Sequence, residues 1–368
     1  MEHAAVKVVH LSSDYLELGI EDVDVSLVNA IRRVLLSEVP NVALDPDRIT
    51  ISKNTCSLHN EFLSHRLSLI PLCFDPEEIE SYNDPEQYKF VIKAKNTTNG
   101  MMSITTKDIS IYTKSGRAMP ESFREKVFPK NKTTDEYIII TKLKPNHSDL
   151  KNGDELLVEA YAVKSIAKTN ACWCPVSLCT YFNQIDHDAV PAAFAEYKQK
   201  HNNLELTDAQ LKSRFDALEI HRCFKKNAME EPSAFTFKLQ SECRMTPDYL
   251  FVKAIDVIRE NLMAITTALD EMDIESVNGM NIITMRGYDH TLGNFLQAHL
   301  YNMYVKKQGV LDYIGYYQPH PLEKNIVVKL RLKEHGDDAK GFLKNAIGAV
   351  IEELIAFEQV CQRAFAKK

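Results

Sequence analysis

No stretch of the 368-residue chain reaches the roughly 18 consecutive apolar residues that a bilayer-spanning helix needs, so neither a membrane span nor a membrane partner is expected. The opening residues, MEHAAVKVVHLSSDYLELGI, lack a basic region followed by an apolar core. No secretory leader is expected, and the compartment that follows is intracellular. Positive charge is also short, with 44 Lys and Arg against 51 Asp and Glu, a net charge of −7. Affinity for nucleic acid comes from neutralising phosphates with Lys and Arg. Direct, sequence-specific nucleic-acid binding is therefore not expected. There is no phosphate loop of the form G-x-x-x-x-G-K-[ST] and no Asp-rich polymerase metal motif. The eight cysteines, at 56, 73, 172, 174, 179, 223, 243 and 361, are scattered through a chain too large to need staples. Reduced thiols are expected rather than a disulfide framework.

What is present is most legible near the C-terminus. A strand-like run, NIITMR (281–286), leads into GYDHTLGNFLQAHLYNMY and then DYIGYYQPHPLEKNIVVKLRL. Thr291 precedes an apolar row at Leu292, Phe295, Leu296, Leu300 and Met303, so it reads as the N-cap of an amphipathic helix, with Gly309 as the stop. Strands are predicted over 311–317 and 325–332 around the turn Pro319, His320, Pro321. A last helix begins near Asp338. Its apolar residues Leu343, Ile347, Val350, Leu354 and Phe357 step four, three, four, three, a coiled-coil-like seam.

The N-terminal part carries the same order in disguise. Strand candidates at 6–11 and 15–20 precede the helix VDVSLVNAIRRVLLSEVP, with Asp24 or Ser26 as its cap and Pro40 beyond its end. Within it SLVNAI (26–31) can be set beside TLGNFL (291–296), where a hydroxyl residue, Leu, Asn and a branched aliphatic fall in the same helical positions, Asn29 standing where Asn294 does. A strand at Ile49–Ile51 follows, and far downstream Ser233–Leu239 leads into a helix opened by Thr246, Pro247 and Asp248. That helix has its own seam at Phe251, Ile255, Ile258, Leu262, Ile265 and Leu269. The expectation is an α+β chain of two modules ordered strand, helix, strand, strand, long helix. The first module comprises 1–52 and 233–272, the second 276–368, and a β-rich insert with a polar helical segment (183–232) occupies 53–232. Two-fold pairing of like modules through the two seams would make an intramolecular pseudo-dimer.

The stretch DHTLGN, followed after a helix by GYYQPHPLE, resembles the smaller alpha-like subunit of multisubunit RNA polymerases. The first 270 residues are similar to the larger alpha-like subunit of the archaeal and eukaryotic type. LVNAIRRVLLSEVP, NEFLSHRLSLIPL, ITKL, ACWCPV and MTPDYLFVKAIDVI carry that likeness. A fused pair resembles the arrangement in large cytoplasmic DNA viruses of the asfarvirus type. The resemblance implies a non-catalytic assembly platform without cofactor. Its partners would be the largest and second-largest polymerase subunits together with small subunits. The setting would be virion and host cytoplasm for a viral chain, or nucleus otherwise.

The resemblance also gives the site residues. The first helix faces the second-largest subunit in alpha-like proteins, which points to Asn29, Arg32 and Arg33; Arg forks suit such contacts because they bind bidentately and are weakly hydrated. Glu61, His65 and Arg66 invite the same reading, against an internal ion pair. Asp289 and His290 are a possible acid–base pair, but a position before a helix assigns them to cap and turn, with Thr291, Asn294 and the Pro-His-Pro residues. CWCPVSLC would set Cys172 and Cys174 on one strand face with Cys179 nearby, yet lacks the second ligand pair that structural zinc needs. No metal is expected. A stand-alone enzyme using Asp289 and His290 or these cysteines is the rival reading.

Overall fold

The computed structural model describes residues 4–145, 153–201, 206–242, 244–272, 274–333 and 338–367. The chain begins with the hairpin β1 (Ala5–Leu11) and β2 (Tyr15–Glu21), then α1 (Val25–Ser37) and the long β3 (Asn41–Asn54). There follow α2 (Asn60–Ser68), α3 (Pro76–Ser81), β4 (Tyr88–Lys95), β5 (Met102–Thr105), β6 (Ile109–Thr113), α4 (Glu121–Val127), β7 (Ile139–Leu143) and β8 (Glu155–Ser165). Next come β9 (Val176–Asn183), α5 (Val190–Lys200), α6 (Asp208–Leu218), β10 (Ala234–Ser241) and α7 (Pro247–Ala268). The chain closes with β11 (Ile274–Val277), β12 (Met280–Arg286), α8 (His290–Leu300), β13 (Leu311–Tyr317), β14 (Asn325–Leu332) and α9 (Ala339–Phe365).

Two compact units result. One comprises the residues up to Val34, Leu178–Gln240 and those from Pro247 onward. It holds two four-stranded sheets of matching topology, β1-β2-β10-β9 and β11-β12-β14-β13. In each, a hairpin leads to a helix, two further strands complete the sheet, and a long helix follows. Alternation places Leu16, Leu18 and Ile20 of β2 with Phe235, Phe237 and Leu239 of β10 in the core. In the second sheet Ile283, Met285, Ile326, Val328 and Leu330 do the same. Full burial of each such side chain stabilises by about 1.5–3 kcal/mol. The helix α7 packs on α9, and Phe251, Ile255, Ile258, Leu262, Ile265, Leu269, Leu343, Ile347, Val350, Leu354 and Phe357 are all buried.

The structure differs from the sequence reading at four places. The first module's third strand is β9, not Ile49–Ile51. Those three residues belong to the 14-residue β3, whose ladder runs along β8 in the other unit. The segment 184–232 therefore belongs with the modules, as an excursion between β9 and β10. Its helices share a small core of Tyr197, Leu211 and Phe215. The N-cap of α8 is Asp289, whose Oδ1 accepts from Thr291 N–H at 2.9 Å; a carboxylate at that position outcompetes the hydroxyl two residues on. Cys172 lies in a 3-10 turn, Ala171–Trp173, with Cys174 just after it, because Asn170 caps the turn through Cys172 N–H. Finally, Cys73 is disulfide-bonded, so the thiols are not uniformly reduced. Cys56, Cys172, Cys174, Cys179, Cys223 and Cys361 are free, and Cys243 lies outside the described residues.

The other unit, Leu35–Ser177 with Ser241–Thr246, is built on the sheet β3-β8-β4-β6 and a two-stranded sheet β5-β7. Leu156, Val158, Ala160 and Ala162 of β8 and Phe90 and Ile92 of β4 form its inner layer.

Candidate docking surfaces

The first helix spends only part of its surface on the core. Leu27, Val28, Ile31 and Val34 are buried, which leaves Val25 exposed and Asn29, Arg32 and Arg33 half-buried on the remaining side. The two arginines do different things. Arg32 donates from Nε and Nη2 to Asn29 Oδ1 at 3.1 and 2.9 Å, so the amide holds the guanidinium in place on that side. Arg33 donates from Nε to Thr291 Oγ1 at 2.8 Å, tying α1 to the start of α8. At the other end of α1, Asp24 Oδ1 accepts from Ser26 N–H at 2.8 Å, while its Oδ2 accepts from Asn302 at 3.1 Å. Thus α1 and α8 lie antiparallel, clasped at both ends by polar contacts between the modules.

Around α8, the expected cap and turn residues hold local structure. The exposed His290 meets Tyr316, its Nδ1 3.3 Å from the phenol oxygen. At Gly293 a Cβ would come within 2.6 Å of the Tyr316 ring, so only glycine fits. Asn294 is exposed. His320 Nδ1 accepts from Leu322 N–H at 3.2 Å inside the turn that also contains the exposed Pro319 and Pro321. Beyond Leu300 the helix widens into a π-helical stretch, Tyr301–Lys307.

In the other unit, α2 buries Leu63 and Leu67 and exposes Glu61, His65 and Arg66. Instead of joining an ion pair within the helix, Arg66 donates to the carbonyls of Ile139 and Ile140 at 2.9 and 3.1 Å, fixing β7 alongside. Four exposed apolar side chains missed by the sequence reading lie on these two elements or at their ends: Phe62, 65% exposed, with Leu69, Ile138 and Ile139. The signal for the first two was present, since Phe62 and Leu69 sit two turns apart on the helix face opposite Leu63 and Leu67.

Among the described residues no group of three or more His, Cys, Asp or Glu could hold a metal ion. Cys174 donates its thiol to Val176 O at 3.2 Å and Cys179 to Arg32 O at 3.7 Å. Burial, reinforced by the Asp45 charge, pushes the Cys172 thiol up to about 11, away from the range of reactive or metal-binding thiolates. No helix of the described residues is long and apolar enough to cross a membrane.

Paired modules of this topology, meeting through their long helices, define a dimerisation protein of the alpha-like class. The chain belongs to the RNA polymerase Rpb3/Rpb11 dimerisation-domain family, whose pattern covers residues 17–262 and, in a second form, 281–360. It is similar to DNA-directed RNA polymerases IV and V subunit 3B of Arabidopsis thaliana, 32% identical over 193 residues, 49% of this chain and 57% of that protein. DNA-directed RNA polymerases II, IV and V subunit 3 of the same plant is 25% identical over 323 residues, 77% of this chain and 96% of that protein. DNA-directed RNA polymerases I and III subunit RPAC1 of Mus musculus is 29% identical over 192 residues, 48% of this chain and 53% of that protein. The chain thus spans just over half the length of the first and third of these relatives and nearly all of the second.

Proposed function

We propose that the chain is a non-catalytic assembly platform of a DNA-dependent RNA polymerase, two alpha-like subunits made as one polypeptide. The observation that carries this reading is the presence of two family modules in one chain, 17–262 and 281–360. In cellular polymerases such modules come as separate chains that must find each other. Fusion raises the effective concentration of each module for the other, so pairing no longer depends on subunit abundance. In this reading the α7–α9 seam is the internal dimer interface. The second-largest subunit docks on α1 through Arg32, oriented by Asn29; Arg33 serves the module clasp. Glu61, His65 and Arg66, with the apolar residues around them, take a second contact, with the largest or a small subunit. The fused arrangement supports a viral polymerase working in host cytoplasm and packaged in the virion.

Affinity purification of the tagged chain from its native source tests the proposal. Two very large polymerase subunits should co-purify in equal amount. The variant Arg32→Glu should melt like the unmodified protein yet lose the second-largest subunit. If that contact is buried, the loss is about 2–5 kcal/mol, roughly thirty- to several-thousand-fold in affinity. Normal co-assembly of the folded variant would show that α1 is not the docking face.

A further inference from the structure

The sheets of the two modules match strand for strand, so their outer faces can be compared position by position. Leu16, Leu18 and Ile20 of β2 point into the core, which turns Glu17, Gly19 and Glu21 outward. Ile283 and Met285 of β12 point inward in the same way and turn Ile282, Thr284 and Arg286 outward. Register fixes the equivalences. Glu17 pairs with Lys238 of β10 as Ile282 pairs with Lys329 of β14, and Glu21 pairs with Ala234 as Arg286 pairs with Asn325. On the first face Lys238 has Glu17 at 3.8 Å, and Glu21 holds Lys225 at 2.9 Å. On the second, an isoleucine and an arginine stand in place of those two carboxylates. Among the described residues Arg286, Lys329 and Arg331 make no ion pair, and Arg331 Nε has no hydrogen-bond partner. The acids near this face are peripheral: Asp312 sits at the β13 bulge, and Glu275 is on the far edge strand β11, two strands or about 10 Å from Lys329.

The edge strands differ as well. β9 turns Cys179 and Tyr181 inward, the latter against Phe235, and so presents Leu178, Thr180 and Phe182. β13 turns Ile314 and Tyr316 inward and presents Tyr313, Gly315 and Tyr317. The two strands are matched by their neighbours, since Lys238 lies 5.4 Å over the Phe182 ring and Lys329 4.8 Å over the Tyr317 ring. The Tyr313 ring reclines along the sheet: from the place that a Cβ on Gly315 would take, its Oη is 2.5 Å, its Cζ 3.0 Å and its Cε1 3.3 Å away. Thr180 has that Cβ. Tyr313 and Tyr317 remain 47% and 45% exposed. Exposed rings on a sheet beside unpaired cations suit unstacked bases and their phosphates, whereas an acidic peptide would satisfy the cations without needing the rings. We infer that the outer face of the second module's sheet binds single-stranded nucleic acid without sequence preference, bases stacking on Tyr313 and Tyr317 and phosphates meeting Lys329, Arg331 and Arg286. Ribose and deoxyribose strands serve alike, because neither contact reads the 2′-hydroxyl. This goes beyond the assembly-platform reading and stands without it. With three phosphate contacts the binding is salt-sensitive, log K falling with log salt at a slope of about −2.

Fluorescence anisotropy of labelled oligo(U) and oligo(dT) against the full chain at low salt tests the inference. Both should bind, with the salt slope just given, and a duplex of the same length should bind more weakly because its bases are already stacked. Tyr313→Ala and Tyr317→Ala should each weaken binding about fivefold or more. Ile282→Glu, which gives Lys329 the carboxylate that Lys238 already has, should weaken it too. Phe182→Ala, at the equivalent place on the first face, should leave it unchanged. The variants change positions on the outer faces, and thermal melts matching the unmodified chain should show that all are folded. Absence of binding at low salt would overturn the inference, as would binding that both tyrosine variants leave intact. If a polyglutamate peptide binds as tightly as the oligonucleotides and regardless of Tyr313 and Tyr317, the face takes acidic peptides and the nucleic-acid assignment fails.

Discussion

Ile258 is the point at which the seam can be tested most severely. It is 2% exposed on α7, within the buried row that packs on α9, where Val350 and Leu354 are fully buried. Replacing it with Asp removes an aliphatic side chain whose burial stabilises by about 1.5–3 kcal/mol. It also places a carboxyl where the side chain it replaces had no polar partner, at a further cost of roughly 2 kcal/mol or more. A total of about 4 kcal/mol is a large part of the 5–15 kcal/mol that stabilises an ordinary domain. In a unit of this size it lowers the melting temperature by roughly 8–16 °C. Two controls bound the effect. Ile258→Val should cost only about 0.5–1.5 kcal/mol, and Met263→Asp, at a position 53% exposed on the same helix, should stay within about 0.5 kcal/mol. The pH dependence has a definite sign. The buried Asp would have its folded-state pKa raised above the unfolded value near 3.9, so the folded chain holds a proton that the unfolded chain releases. The deficit is therefore smallest below about pH 4 and grows toward neutrality. Thermal melts across pH 4 to 7.5, with sizing chromatography for aggregation, read all of this. If Ile258→Asp melts with the Met263→Asp control at pH 7, the α7–α9 seam is not a packed interface and the pseudo-dimer reading fails.

Two other predictions concern the modules' junction. Arg33→Met and Thr291→Val should show a coupling of about 1 kcal/mol in a double-mutant cycle of chemical denaturation, since each removes the same 2.8 Å bond; strictly additive effects would mean that the clasp contributes nothing. His299 donates Nδ1–H to Phe295 O at 2.9 Å, and burial holds its pKa below the ordinary histidine value, although the Phe295 carbonyl and the Asp24 and Glu353 charges pull upward. The unfolded chain takes up a proton near pH 6.5 that the folded chain refuses, so stability is present above that pH and lost as pH falls toward 5. His299→Gln should flatten this slope between pH 7.5 and 5.5, and an unchanged slope would assign the loss to other groups.

Periodicity made the modules legible because their inner faces are strictly patterned. The alternation in 325–332 and the four-three steps of both long helices predict elements that the structure contains, down to Asp338 as the cap of α9. Sequence adjacency misled where pairing is non-local. Ile49–Ile51 has the pattern of a module strand, but a strand's sheet is chosen by its ladder partner, and β8 lies more than a hundred residues away. The candidate surfaces were half legible. Charged residues such as Arg32 and Arg66 stood out, but their partners, the Asn29 amide and the β7 carbonyls, follow from side-chain reach and tertiary placement. The exposure of Phe62 could be read from helix phase, whereas that of Ile138 and Ile139 could not, because their run is apolar on both faces.

The repeat also shows where to look for function. Positions that agree between the modules, such as Asp24 with Asp289 or Leu27 with Leu292, serve the fold that both share: a cap in the first pair, a buried helix face in the second. Positions that differ cannot be required by that fold, since each module forms without the other's residue. Arg32 stands where the second module has Gln297, and Arg33 where it has Ala298. The first difference puts a guanidinium fork on one of the two helices only, so the modules present different chemistry at equivalent positions. The second bonds the end of α1 to the start of α8 through Arg33 and Thr291, while the opposite end is held by Asp24 and Asn302 instead. A symmetric homodimer could not make this distinction, because any residue that closed one end would close both. Two alpha-like sequences in one chain can, so the two ends of the α1–α8 pair are held by different contacts.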